Sequence, residues 1–446
     1  MSTASLPYTA PSASTRTAVS AASFAERAAV FLVGLLLPAI AISPWGFAMG
    51  GLSRATMVDV MVLLTLVVLL ASRRLRVDGY AILYAASLVF ALVLGFGFGT
   101  SGTDVRWTAI QFIALSMALC YWVLGASIAR SPALIKALMA GVVAGFLWEG
   151  VIVLHDMIMP AAWFPEADSR RTQGTFRNGG QLANYGFSAA GLVLCYGWPL
   201  WKKRSTRLMM IASALFPLLF VIAGSRRSAM AALLFWLMLY LAIGFRSTLK
   251  KAYPIILIAT VGIAAWLISN WDTFSQTYFG SRAMDAYEQV ESGESTFQLQ
   301  FAAAMDTFWE WFPLGAGLGR GNYMTGGHAM VMQSWEIHNG HLNIAVESGL
   351  FGLVAFYALV IKALLHRWHN DFGKSTRAVR ILTFTFLLAG MVFMIHNRLH
   401  RDRGFMLFMG LTSAIALAVS SDPRRSGTPL QHGQPVLILR RTPKAR

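Results

Sequence analysis

Residues 335–356, "WEIHNGHLNIAVESGLFGLVAF", set two histidines and two carboxylates directly against an apolar stretch of helical length. A neutral imidazole accepts a proton near pH 7, so His338 is a candidate general base, with Asn339 beside it able to orient the ring. Glu336, His341 and Glu347 are candidate supports for the same imidazole. The H-x-x-H of His338 and His341 and the H-x-x-x-H of His396 and His400 also raise metal binding. Neither pair carries the glutamate of a zinc-protease helix or an acidic partner at ligand spacing, so no metal and no cofactor is expected.

A second set of residues can hold an anion. "GSRRS" (224–228) puts Arg226 and Arg227 between two apolar stretches, and "HNRLHRDR" (396–403) puts Arg398, Arg401 and Arg403 between two more. Arginine presents a rigid planar fork that grips phosphate oxygens bidentately and keeps its proton. A diphosphate close to hydrocarbon needs its charge neutralised in this way. Arg177, Arg226, Arg227, Arg320, Arg401 and Arg403 are the candidate diphosphate ligands. The competing reading pairs such arginines with nearby carboxylates or lets them snorkel to headgroups. Outer-loop acids such as Glu166, Asp168 and Asp402 are available for that pairing. Asp59, Glu149 and Glu347, in or at the edges of apolar stretches, are costly there and so functional candidates, with pairing to a neighbouring arginine as the plainer explanation.

The elements that would position these groups are membrane helices. The 446 residues are 56% hydrophobic and 13% charged, with a mean hydropathy of +0.56, which excludes an ordinary soluble enzyme. Apolar stretches of ~17–23 residues recur, each long enough to cross a ~30 Å hydrocarbon layer. Spans are expected near 28–47, 55–71, 80–97, 107–126, 134–154, 181–198, 208–223, 229–244, 253–269, 344–364, 378–396 and 404–420. The fold class is therefore all-α: a polytopic membrane protein of about 12 transmembrane helices.

Net charge is +17, yet with both termini cytoplasmic every lysine falls on one side, in connections such as "SRRLR" (72–76) and "KKRSTR" (202–207). That asymmetry explains the charge through the positive-inside rule, and no nucleic-acid partner is implied. On the outer side the positive charge is all arginine. The chain divides into a polar tail 1–27, helices over 28–269 with an outer loop 155–180, a large outer loop 270–343, helices over 344–420 and a basic tail 421–446. Within the large loop, Phe297, Phe301, Met305, Phe308 and Phe312 recur at three- and four-residue spacing, one stripe for a helix on the membrane surface or against the bundle. Cys120 and Cys195 lie inside expected spans and imply no disulfide.

His338-Asn339 followed by Gly349-Leu350-Phe351-Gly352 resembles the H-N…G-x-x-G signature of the O-antigen ligase and Wzy-type polymerase superfamily. "RTQGTFRNGGQLANYGFSAAG" (171–191), "GSRRSAMAALLFW" (224–236) and "WFPLGAGLGRGNY" (311–323) resemble three further segments of that family, in the right order. Gly179 and Gly180 depart from the family's asparagine pattern, and "RAMDA" (282–286) lacks the leucine of its R-x-x-x-L element.

The resemblance implies a GT-C-like fold with a large, partly helical periplasmic loop, in the inner membrane of a bacterial cell with the active site on the periplasmic face. It implies an undecaprenyl-diphosphate-linked glycan as donor and a sugar hydroxyl of lipid A–core as acceptor, with membrane lipids around both. His338 would activate the acceptor, Arg226 and Arg177 would hold the leaving diphosphate, and no D-x-D cluster calls for a metal. Polymerase, protein O-oligosaccharyltransferase and, as a non-enzyme, a lipid-linked oligosaccharide transporter stay open as alternatives.

Overall fold

The computed structural model describes residues 22–40, 56–98, 102–159, 179–197, 213, 215–224, 226–244, isolated positions between 262 and 270, 296–320, 337–369 and 374–414. Regular structure among the described residues is all helical, with no strand. In chain order the elements are α1 (Phe24–Leu36), running into a 3-10 turn, α2 (Met57–Ala71), α3 (Gly79–Gly97), α4 (Gly102–Ile128) and α5 (Pro132–Ile158). Then come α6 (Gly179–Leu192), which runs into a π-helical turn, α7 (Leu215–Ala223), α8 (Arg227–Gly244) and α9 (Thr296–Trp311). The series closes with α10 (Gly340–His369), α11 (Lys374–Phe393), a 3-10 turn Leu399–Arg401 and α12 (Arg403–Ala414).

Four helical stretches, Gly79–Gly97, Val105–Ile128, Pro132–Ile158 and Gly340–His366, are by length and composition apolar enough to cross a membrane, the last counted through a break at Gly349. Their outward faces agree with that. On α5, Leu147, Val151, Leu154 and Ile158 are exposed one turn apart, and the shorter apolar helix α2 likewise exposes Val60, Leu63, Leu64, Val67 and Leu70. In water such a surface would drive association; in lipid it is the ordinary face of a bundle helix.

One end of the bundle is set by helix caps and basic residues. Ser23 and Glu26 form a reciprocal capping box on α1, and Arg74 joins Glu26 at 2.7 Å. The Asp78 carboxylate caps α3 through the Ala81 amide (2.8 Å) and also pairs with Lys362 of α10. Ser127 of α4 accepts from the Arg76 amide at 2.9 Å, so residues 23–27, 72–78, 127 and 362 lie together. The candidate site lies towards the other end.

The tail 1–21, most of loop 155–180, most of 270–343, the span expected at 253–269 and the tail 421–446 lie wholly or largely outside the described residues. Met305 and Phe308 pack with Ala304, Ile337, Leu342 and Val346, whereas Phe301 and Phe312 stay exposed. The small side chains Ala303, Ala304 and Thr307 are the most deeply buried on α9, so small residues as well as aromatic ones face the rest of the fold.

Candidate functional site

Helix α10 is not one straight rod. Gly349 has φ 61° and ψ −161°, a conformation essentially reserved for glycine, and the helix breaks there. The Tyr357 hydroxyl hydrogen-bonds to His341 Nδ1 at 2.8 Å, and the two rings stack with centroids 5.8 Å apart. These residues are 16 apart in sequence, which a continuous helix would separate by about 24 Å. The chain therefore doubles back at Gly349. A short limb, residues 340–348, runs alongside the start of a longer limb, residues 350–369. The polar stretch in front of the span is thus a half-helix folded against the span itself.

Breaking the helix at Gly349 strips the last carbonyls of the short limb of their next-turn partners. The glycine loop after α9 supplies them. Ala316 donates its amide to Val346 O (2.7 Å) and Gly317 to Glu347 O (3.1 Å), while Leu350 N donates to Pro313 O (2.9 Å). Leu318 N then bonds Ala91 O of α3 (3.0 Å), and Thr108 of α4 donates its hydroxyl to Leu318 O (2.8 Å). Gly315, Gly317 and Gly319 all have positive φ, and a Cβ on Gly315 or Gly317 would lie 2.4 or 2.3 Å from a neighbouring backbone nitrogen. The spacing of this glycine motif is thus a structural requirement: the loop caps the half-helix and wedges it against α3 and α4.

The other end of the short limb is held by the linker 394–402 between α11 and α12. Gly340 donates its amide to Met394 O at 2.7 Å, and a Cβ there would meet Asn397 O at 2.6 Å. Asn339 caps the limb through its side-chain oxygen, which accepts from Leu342 N at 3.0 Å. Arg226, which immediately precedes α8, donates from Nη2 to His396 O at 3.3 Å and from Nε to Ser228 Oγ at 3.3 Å. Asn184 of α6 pairs its amide with Asn397, and Ser188 donates to Asp402 at 2.7 Å. One linker therefore gathers α6, α8 and the half-helix that begins two residues after His338.

Two of the candidate arginines are engaged by carboxylates. Arg401 Nη2 bonds Asn343 Oδ1 (2.7 Å) and Glu347 Oε2 (3.0 Å), both on the short limb, and Arg401 Nε donates to His400 Nε2 (3.3 Å). Arg403 grips Asp59 of α2 with two bonds of 2.7 Å, and the Tyr121 hydroxyl adds a third to that carboxylate at 3.0 Å. Carboxylate pairing is thus the geometry of both. For Arg403 this corrects the expectation of a diphosphate ligand, because the bidentate face of its fork is spent on Asp59. Glu347 likewise is bound to Arg401 rather than to His338. His400 is fully buried, and that burial, with the charges of Arg401 and Arg398, holds its imidazole well below the usual histidine range.

The remaining candidates fall as follows. His338 is exposed, flanked by buried Ile337 and Gly340. His341 is not a metal ligand in this arrangement: Nε2 bonds Met391 O at 2.8 Å and Nδ1 receives the Tyr357 hydroxyl. Asn339 serves as a helix cap, a role that leaves its side-chain oxygen taken. Arg320 ends the glycine loop and is half-buried. Arg177, Glu336 and the Arg227 side chain lie outside the described residues. Sequence reasoning missed Asn343, Asn184 and the fold-back at Gly349. The available signal was the Ser348-Gly349 pair interrupting a helical pattern just where its character turns from polar to apolar.

No protein-family model and no curated protein matches the chain.

Proposed function

We propose that the chain is an O-antigen ligase with a twelve-span, GT-C-like architecture, transferring a glycan from undecaprenyl diphosphate to a sugar hydroxyl of lipid A–core. The reaction would take place at the periplasmic face of the inner membrane. The observation that carries this reading is the convergence on linker 394–402 of Arg226, through His396 O, and of the half-helix led by His338, through Met394 O. A base and a phosphate-binding fork are the two groups the transfer needs. They come from segments more than a hundred residues apart that have no other evident reason to meet.

In this mechanism Arg226, with Arg177 and Arg227, neutralises the diphosphate as the bond from its oxygen to the anomeric carbon breaks. His338 takes the proton of the acceptor hydroxyl while that oxygen attacks the same carbon from the opposite side, inverting it. Base assistance of this kind is worth ~10²–10⁴-fold. Arg401 and Arg403 stand outside the clamp, because their forks are already bound to carboxylates.

The test is the lipopolysaccharide of a deletion strain. A ligase leaves bare core and accumulates long lipid-linked chains; core bearing a single repeat would assign the chain as a polymerase instead. Complementation with His338→Ala should give at least ~10²-fold less ligated product at equal protein level. Arg226→Lys should also fail, because a point charge cannot replace a planar fork. Normal banding from either variant would overturn the assigned roles.

A further inference from the structure

The ion pair Arg401–Glu347 has features of a device for placement rather than for stability. Glu347 is 1% exposed, Asn343 0% and His400 1%. Within this cluster Glu347 Oε1, Asn343 Nδ2 and His400 Nδ1 are buried with no hydrogen-bond partner. A partly satisfied buried network is costly, and a well-packed apolar set of the same volume is commonly the more stable choice. The ion pair at Asp59 differs, since there the carboxylate takes two arginine bonds, a tyrosine hydroxyl and the Thr56 amide at 3.0 Å.

The element that Arg401 holds also needs holding. The short limb of α10 spans only residues 340–348, too few for a helix to persist alone in solution. Its carbonyl end is fixed by the glycine loop and one side packs on Ala304 and Ile337 of a small separate cluster. On the side facing the 3-10 turn Leu399–Arg401, Arg401 supplies the side-chain hydrogen bonds, to Asn343 and to Glu347, one helical turn apart. Asn343 is four residues from Asn339, so a bond at Asn343 acts on the first turn of the limb, which carries His338 on its leading edge.

We propose that Arg401 is a positioning residue: by clamping Asn343 and Glu347 it fixes the half-helix against linker 394–402 and so sets where His338 stands relative to Arg226. The consequence for transfer rests on the function proposed above; the consequence for placement does not. A diphosphate ligand and a positioning residue differ in what they change. Loss of a ligand raises the donor KM, whereas a misplaced base lowers kcat with donor KM nearly unchanged.

The experiment uses the full-length protein in proteoliposomes with Cys120 and Cys195 replaced and a single cysteine introduced as His338→Cys, labelled by a membrane-impermeant maleimide. Arg401→Gln and, as a milder variant, Asn343→Leu are compared with the parent after size-exclusion chromatography confirms folded protein. The expected result is a change of about tenfold in labelling rate for Arg401→Gln and a smaller change in the same direction for Asn343→Leu. In the background retaining His338, both substitutions should lower kcat by about tenfold or more with donor KM within about twofold of parent, whereas Arg226→Lys raises donor KM. Unchanged labelling in both variants would overturn the placement, as would a raised donor KM with unchanged kcat. If Arg401→Gln does not yield folded protein, the labelling and kinetics of Asn343→Leu decide alone. A parent without any transfer activity would defeat the proposed function, while the labelling would still decide the role of Arg401.

Discussion

The α1–α5 and α4–α12 contacts and the layer around linker 394–402 bury side chains by opposite means. In the first, backbones meet directly. A Cβ on Gly141 would lie 2.1 Å from Phe31 O, on Gly34 2.5 Å from Leu138 O, and on Gly410 2.1 Å from Trp122 O. Lipid offers no hydrophobic driving force between helices, so contact area from small residues has to supply the cohesion. In the second region the chain is irregular, and amides, carboxylates and guanidinium groups replace close packing. Buried backbone that is not helical persists only where protein or water satisfies it, and the linker meets this condition through Met394 O, His396 O and the Asn184–Asn397 pair. The glycine seams therefore carry the bundle, and the polar layer carries the candidate chemistry.

The largest effect should come from breaking a seam. Gly410→Val puts two methyl groups where one Cβ already overlaps the Trp122 carbonyl, and Gly125 sits on the same contact, 2.5 Å from Leu407 O by the same measure. Separating α4 from α12 is expected to cost more than about 3 kcal/mol and to abolish the monodisperse peak in detergent. A folded Gly410→Val protein of parental melting temperature would mean that this seam is not what holds the two helices.

Next in size is the contrast between the two ion pairs. Asp59→Asn leaves Arg403 facing a neutral amide and should destabilise by about 3–5 kcal/mol. Replacing both partners, Asp59→Leu with Arg403→Met, removes the charge and its desolvation together and should bring the melting temperature most of the way back. The matching double replacement, Glu347→Leu with Arg401→Met, should likewise keep the fold but lose glycan transfer. If both double variants retain parental transfer, the distinction between a structural and a positioning ion pair disappears.

Much of this was legible in the residues. An all-helical membrane bundle follows from apolar length and charge bias, and the polar cluster ahead of residue 344 marks a boundary, although the expected span 344–364 runs straight across the break at Gly349. That a carboxylate in a span seeks an arginine was also readable, and Asp59 and Glu347 both have one. What could not be read is which arginine goes with which carboxylate, because Asp59 and Arg403 are 344 positions apart. The fold-back escaped for a related reason. Periodicity registers residues 340–348 and 350–369 as equally helical, and only the φ of Gly349 separates one rod from a hairpin. The α9 stripe was seen by its aromatic residues, although the most deeply buried positions include Ala303 and Ala304, which carry little weight in an apolar pattern.

The smallest effect is a pH dependence that belongs to the polar layer alone. His400 is buried beside Phe356, with Arg401 donating to its Nε2, so the folded chain keeps the imidazole neutral. Its pKa in the folded protein lies below the unfolded value of about 6.5, so unfolding lets it take up a proton. Stability from this group is present above that value and is lost as pH falls below it, by at most about 1.4 kcal/mol per pH unit. The glycine seams contain no such group. Thermal unfolding of detergent-solubilised protein from about pH 7.5 to about pH 5.5 should therefore show a falling midpoint, and His400→Gln should flatten that fall even if it lowers the midpoint throughout. Parallel curves for parent and variant would show that folding leaves the proton affinity of His400 unchanged, and the neutral imidazole assigned to the polar layer would have to be given up.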